Sequence, residues 1–152
     1  MPEADLDLRE TMLRSSPLVT AYRLNYVANS FVAGLYTRMD AEAGITRGQF
    51  IVLLCLSVRD GSTAQDIADA THRPKNSLSR AVKALLEKGL IERSLDASDQ
   101  RRQPLNMTPA GRVLFQRLRE IGEAREAEML AALDSAERRL LSNLLNRIAA
   151  GF

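Results

Sequence analysis

The chain has one cysteine and one histidine among 152 residues, and these two scarcities narrow the available chemistry at once. A single thiol, Cys55, can close no internal disulfide, which agrees with a reducing compartment. A nucleophile–base pair would need Cys55 to meet His72, yet Cys55 stands in the apolar run "VLLCLS", which reads as core. No GxxxxGK, GxGxxG or GxSxG signature occurs, and no cluster of metal-ligand spacing, so no enzyme activity, cofactor or metal is expected. No apolar run approaches the ~20 residues that span a bilayer. The opening "MPEADLDLRE" is acidic where a signal peptide would be basic and then apolar. The expected location is the cytoplasm, with no membrane partner. Internal repeats and low-complexity linkers are absent too.

What is present is a globular balance, 45% hydrophobic and 26% charged, fitting one soluble domain over 1–152. The net charge of +2 is too small to advertise a polyanionic partner, so its distribution matters more. From His72 to Met107, Arg73, Lys75, Arg80, Lys83, Lys88, Arg93, Arg101 and Arg102 stand against Glu87, Glu92, Asp96 and Asp99. That stretch carries a local excess of +4 and leaves the remainder at about −2.

Periodicity and punctuation predict mostly helix. Residues 18–40 read as a long helix closed near Gly44, with Leu24, Val27, Ala28, Phe31, Leu35 and Met39 on one side and Tyr22, Asn25, Tyr26, Asn29 and Tyr36 on the other. "ITRGQF" carries a capping box, Thr46 with Gln49, and Ile45 can staple onto Phe50. The helix that follows ends at "RDGS". Thr63 with Asp66 then starts a short helix, "THRP" turns, and "KNSLSRAVKALLEKG" runs from Pro74, set in the first helical turn, to Lys88 before Gly89. Two short helices around a tight turn are a helix-turn-helix candidate. "LIERSL" and "QPLNM" are too short for helices and predict a two-stranded hairpin, with Pro104 at an unpaired position or an edge. Thr108 and Pro109 open a helix to about Ala132, and Asp134 with Glu137 opens a last one carrying Leu140, Leu141, Leu144, Leu145 and Ile148.

The helix 74–88 separates its faces. Leu78, Val82 and Leu85, with Ala81 and Leu86 less central, point one way; Asn76, Arg80, Lys83 and Glu87 point the other, with Ser79 beside them and Lys75 and Ser77 in the first turn. A solvated face is the plain reading. The other is a major-groove reader, since arginine can pair with guanine and asparagine with adenine. The hairpin tip "DASDQRRQ" favours the second, because Arg101 and Arg102 in a wing over 95–104 can reach the flanking minor groove or its phosphates. Asp99 either orients a guanidinium or is a solvated turn residue.

The order of elements, with "GITRGQFIVLLCL" and "SLSRAVKALLEKGLIERSLDASDQRRQPLNMTPAGR", resembles the MarR family of bacterial winged helix-turn-helix regulators over nearly the whole chain. "KALLEKGLIER", then Asp99 and Arg101, then "LNMTPAG" are its most specific part. "HRPK", with Arg73 in place of a good N-cap, and Ala97 and Pro104 depart from the commoner family pattern. The resemblance implies a mainly α, six-helix dimeric architecture with a small β-hairpin wing: a DNA-binding part at 46–107, and dimerisation helices at 8–44 and 108–152. It further implies a homodimer on a near-palindromic operator, repression rather than activation, and release by a small effector. Base contacts map onto Lys75, Asn76, Ser77 and Arg80, and the wing contact onto Arg101, held by Asp99.

The leucine stripe at the C-terminus is either core or a subunit interface, and the symmetry of paired half-sites favours the interface. The Tyr22/Asn25/Tyr26/Asn29/Tyr36 face is either a polar interface strip or an effector pocket for an aromatic, phenolic or carboxylic molecule. Arg23 beside it is an exposed cation or an anchor for a carboxylate. Two competing classes stay open: a thiol redox sensor through Cys55, and a helical adaptor without DNA affinity.

Overall fold

The structure, a computed structural model, describes residues 7–94 and 103–151. Among them lie seven helices and one antiparallel pair of strands: α1 (Leu8–Ser15), α2 (Val19–Ala43), α3 (Arg47–Val58), α4 (Ala64–Thr71), α5 (Lys75–Glu87), β1 (Ile91–Arg93), β2 (Leu105–Met107), α6 (Pro109–Met129) and α7 (Ser135–Ala149). The class is the expected one, mainly α with a small hairpin. The helix beyond the expected six is α1, which has no side-chain cap and stops just ahead of Pro17, where the helical conformation of the preceding residue is disfavoured. No single described helix is long and apolar enough to cross a bilayer.

Local chemistry accounts for most helix starts. All three predicted capping boxes form: Thr46 with Gln49, Thr63 with Asp66, and Asp134 with Glu137. Each satisfies backbone donors that the first helical turn leaves open. Gly44 (φ 59) and Gly89 (φ 65) close α2 and α5 in the left-handed region. Pro74 corrects the expected start of α5: it occupies the N-cap, with no side-chain cap bond, and Lys75 is the first helical residue.

The described chain falls into two compact units, 36–124 and the combination of residues up to 35 with those from 125 onward. Nearly all of the buried apolar side chains belong to 36–124. Met39, Ile45, Val52, Leu53, Leu56, Ile67, Leu78, Leu85, Leu105 and Leu118 are each below 2% or at 2% exposed, and burying one such side chain contributes ~1.5–3 kcal/mol. There α3 packs on α5, α4 on α5, and β2 on α3. Ile91 pairs with Met107 and Arg93 with Leu105, so the buried faces of both strands close over the helices.

The other unit is built differently. Leu35 is its one buried apolar side chain among the described residues, whereas Leu8, Leu18, Leu24, Val27, Leu140, Leu144, Leu145 and Ile148 are exposed. The C-terminal stripe is therefore not a core of the single chain. The predicted α2 stripe likewise divides, exposed at Leu24 and Val27 and buried at Leu35 and Met39.

Candidate nucleic-acid interface

Helix α5 presents the predicted ridge. Leu78, Ala81, Val82 and Leu85 are buried, which leaves Lys75, Asn76, Ser79, Arg80 and Lys83 exposed and Ser77 half-buried. Two of these side chains already have intrachain partners. Ser79 Oγ donates to Lys75 O at 3.0 Å, and Lys83 Nζ lies 3.9 Å from Glu87 Oε1; both side chains of that pair are largely in water, where such pairs contribute ~0–1 kcal/mol. Neither tie is strong enough to hold the group from a phosphate or a base edge. Asn76 and Arg80 make no intrachain side-chain bond among the described residues.

The turn into α5 is held by backbone. His72 is exposed and takes a left-handed conformation (φ 50, ψ 36) as the C-cap of α4, and Arg73 N donates to Ala68 O at 3.2 Å. A non-glycine residue in this region costs ~1–2 kcal/mol, and packing of Ile67 and Leu78, both buried, holds it there.

The wing base is clamped by a residue that sequence reasoning missed. Asp60 Oδ1 accepts from Met107 N at 2.9 Å, while its Oδ2 accepts from the Arg112 guanidinium. One carboxylate thus ties the end of α3 to β2 and α6. Gly61 N donates to Leu105 O at 2.9 Å and Leu105 N to Ser62 O at 3.0 Å, so β2 is flanked on both edges. Pro104 accepts from Ser94 N at 3.0 Å, using the carbonyl that proline retains, as its missing N–H requires. Asp99, Arg101 and Arg102 lie outside the described residues. Asp60 left no sequence signal because its partners are 47 and 52 residues away.

The tyrosine–asparagine face is distributed between the two units. Tyr22 and Tyr26 stack at 6.3 Å between centroids, and Asn29 Nδ2 donates to Asn25 Oδ1 at 3.1 Å. Arg23 is engaged, its Nε donating to Leu13 O at 2.8 Å. The cation beside this pair is Arg9, whose hydrogen bond to Tyr26 raises its pKa above the ordinary guanidinium value. Tyr36 belongs to the other unit, where its ring meets Phe50 edge-on at 6.1 Å and carries the Arg47 guanidinium 5.5 Å above its centroid. With Tyr36 half-buried and Arg47 exposed, a cation so placed gains ~0.5–1 kcal/mol or somewhat more.

Cys55 corrects the expectation of core burial: it is half-buried, in a groove with Leu54, Val58, Arg59 and Ile67. Burial nevertheless pushes its thiol pKa up, which lowers the thiolate fraction that redox chemistry needs. No group of metal-ligating residues occurs among the described residues.

Comparison with known proteins agrees with this architecture. The family model described as "MarR family" matches residues 43–102. A protein described as regulating transcription of the hcr operon in Thauera aromatica is 32% identical over 105 residues, covering 69% of this chain and 63% of its own length; the match thus spans less than two thirds of that relative. A MarR-family transcriptional regulator from Silicibacter pomeroyi has a similar structure, with a TM-score of 0.80, 28% identity and 97% of each chain covered. BpsR of Bordetella bronchiseptica, solved in a study of how 6-hydroxynicotinic acid regulates its DNA binding, is similar at a TM-score of 0.75 and 23% identity, over 86% of this chain and 98% of its own. The helix-turn-helix with its cationic ridge, the flanked wing base and these likenesses together place the chain in the MarR family of winged helix-turn-helix transcriptional regulators.

Proposed function

We propose that the protein is a ligand-responsive transcriptional repressor that binds a near-palindromic operator as a homodimer. The observation that carries this reading is α5, with one face buried at Leu78, Ala81, Val82 and Leu85 and the opposite face offering Asn76, Arg80 and Lys83 to solvent. Lys75, Asn76, Ser77 and Arg80 take the base contacts in the major groove, with Ser79 and Lys83 at its edge. Arg101, steadied by Asp99, and Arg102 take the flanking contacts.

The pairing of two chains follows from solvent exposure. Eight large apolar side chains of α1, α2 and α7 and the segment between α1 and α2, among them Leu140, Leu144, Leu145 and Ile148, are exposed in the single chain, and large apolar side chains left in water in such number are ordinarily covered by a partner. Two readers one or more helical turns apart then match a two-fold operator. The effector reading rests on the Tyr22–Tyr26 stack with Arg9 against Tyr26, which suits an aromatic carboxylate or phenol, and Asn25 and Asn29 supply amides beside it. Tyr36, in the aromatic contact with Phe50, takes no part in that reading. The hydroxylated aromatic acid that regulates BpsR belongs to the same chemical class.

The test is a selection of genomic fragments by the purified protein, followed by binding at rising salt. Affinity should fall steeply, because neutralising several phosphates releases their condensed counterions on binding, and sedimentation should give a dimer. Arg80→Ala should relax base preference at one position by ~1–3 kcal/mol. A monomer indifferent to duplex at low ionic strength would remove the proposal and leave the helical adaptor. Phenolic acids should dissociate the complex of the wild type and not that of Tyr26→Ala.

A further inference from the structure

Arg47 is the first residue of α3, exposed, and unpaired with any carboxylate among the described residues. An unpaired surface cation ordinarily samples many rotamers. This one is restrained, because its guanidinium sits over the Tyr36 ring, whose edge contact with Phe50 fixes the ring in turn. The first turn of α3 is itself held against α5: a Cβ on Gly48 would lie 3.2 Å from Ala81 Cβ, and Lys88 Nζ donates to Gly44 O at 2.9 Å just ahead of the turn. Between the two helices runs a groove of roughly 340 Å³ bordered by Thr46, Gly48 and Gln49 on one side and Ser77, Arg80 and Ala84 on the other.

Resting on the reading of α5 as the groove reader, we infer that Arg47 is a further DNA-backbone contact, positioned by Tyr36, on the phosphate strand that borders the recognition helix. A helix seated in the major groove has a phosphate strand along each side, and side chains beside the reader rather than on it are the ones that reach them. The capping box strengthens the assignment to the side chain. Thr46 Oγ1 already accepts from Gln49 N and Gln49 Oε1 from Thr46 N, so part of the donor set at this helix end is satisfied internally. The first turns of both α3 and α5 contain no acidic residue to repel a phosphate. A guanidinium stacked on a ring keeps its N–H edge free for oxygen, which a lysine at this position would not reproduce.

The experiment measures binding of the full-length protein to a mixed-sequence duplex across a fourfold range of salt, and base preference by selection from a randomised pool. Arg47→Ala should make the salt slope shallower by about one, so that affinity falls by roughly three- to fourfold less over that range, with the selected sequence unchanged. Tyr36→Phe should behave as wild type. Tyr36→Leu should lose part of the same slope and add nothing in the Arg47→Ala background, which separates positioning from plain destabilisation. Because Arg47 is exposed, Arg47→Ala decides the matter even if Tyr36→Leu does not fold. An unchanged slope in Arg47→Ala beside an altered preference in Arg80→Ala overturns this contact and leaves the reading of α5 intact. A shallower slope with an altered preference overturns the backbone assignment, and no effect of either variant overturns both.

Discussion

Replacing Gly111 by alanine is expected to lower the melting temperature by about 5–10 °C, although alanine is the better helix former. A Cβ at this position would lie 2.0 Å from Leu90 O and 2.8 Å from Met107 Cγ, where an ordinary C···O approach is about 3.3 Å. The Met107 side chain can swing aside. The Leu90 carbonyl cannot, because it accepts from Thr108 N at 3.1 Å, and Thr108 Oγ1 bonds both Gly89 O and Gly111 N. Relief therefore requires α6 to back away from the end of α5 by roughly an ångström, with overpacking of ~1–3 kcal/mol and a weakened backbone bond of ~1 kcal/mol. The gain in helix propensity offsets up to ~1 kcal/mol, leaving a net loss of about 2–3 kcal/mol, each kcal/mol corresponding to ~2–4 °C at this chain length. Gly122 on the same helix is the control, since a Cβ there meets nothing within 4 Å; Gly122→Ala should stabilise by ~0.5–1 kcal/mol. Thermal unfolding followed by circular dichroism reads both. Equal melting temperatures for the two variants would refute the close approach of α6 to Leu90.

Three further expectations concern the turn, the wing base and the thiol. His72→Gly should leave urea stability unchanged or raise it by up to ~1 kcal/mol, and His72→Val should lower it by ~1–2 kcal/mol; indistinguishable midpoints would contradict the left-handed cap. Asp60→Ala should lose ~1–3 kcal/mol by stranding the part-buried Met107 N–H, whereas Asp60→Asn, which keeps that acceptor, should lose less. If both lose the same amount, the ion pair with Arg112 rather than the Met107 bond holds the wing base. Because burial raises the Cys55 pKa, the thiolate appears at higher pH in the folded chain, and iodoacetamide at pH 8 should alkylate it more slowly than the urea-unfolded chain. Alkylation at the unfolded rate would reopen the redox reading.

Much of the fold was legible because its determinants are local. A capping box needs two side chains three residues apart, and Thr46/Gln49, Thr63/Asp66 and Asp134/Glu137 all formed where the spacing predicted. The two faces of α5 likewise follow from a period of 3.6 residues. The sequence pattern puts Pro74 one position too far inside α5, because proline tolerates both the N-cap and the first turn and only the path of the preceding chain selects between them. The candidate site was less legible. Tyr36 shares a helical face with Tyr22 and Tyr26, yet its ring partners, Phe50 and Arg47, come from α3, and Arg9 reaches Tyr26 from α1.

By itself the sequence determined where helices begin, which side of α5 is apolar, and that two short strands stand on either side of a polar, arginine-bearing stretch, since each depends on neighbours within a turn or a pleat. Only the tertiary structure decided which apolar stripes are buried within the chain, which acceptor clamps the wing base, and which tyrosine carries a guanidinium. Those outcomes depend on residues tens of positions apart meeting in space, and hydrophobicity alone does not distinguish a side chain buried by its own chain from one left for a partner.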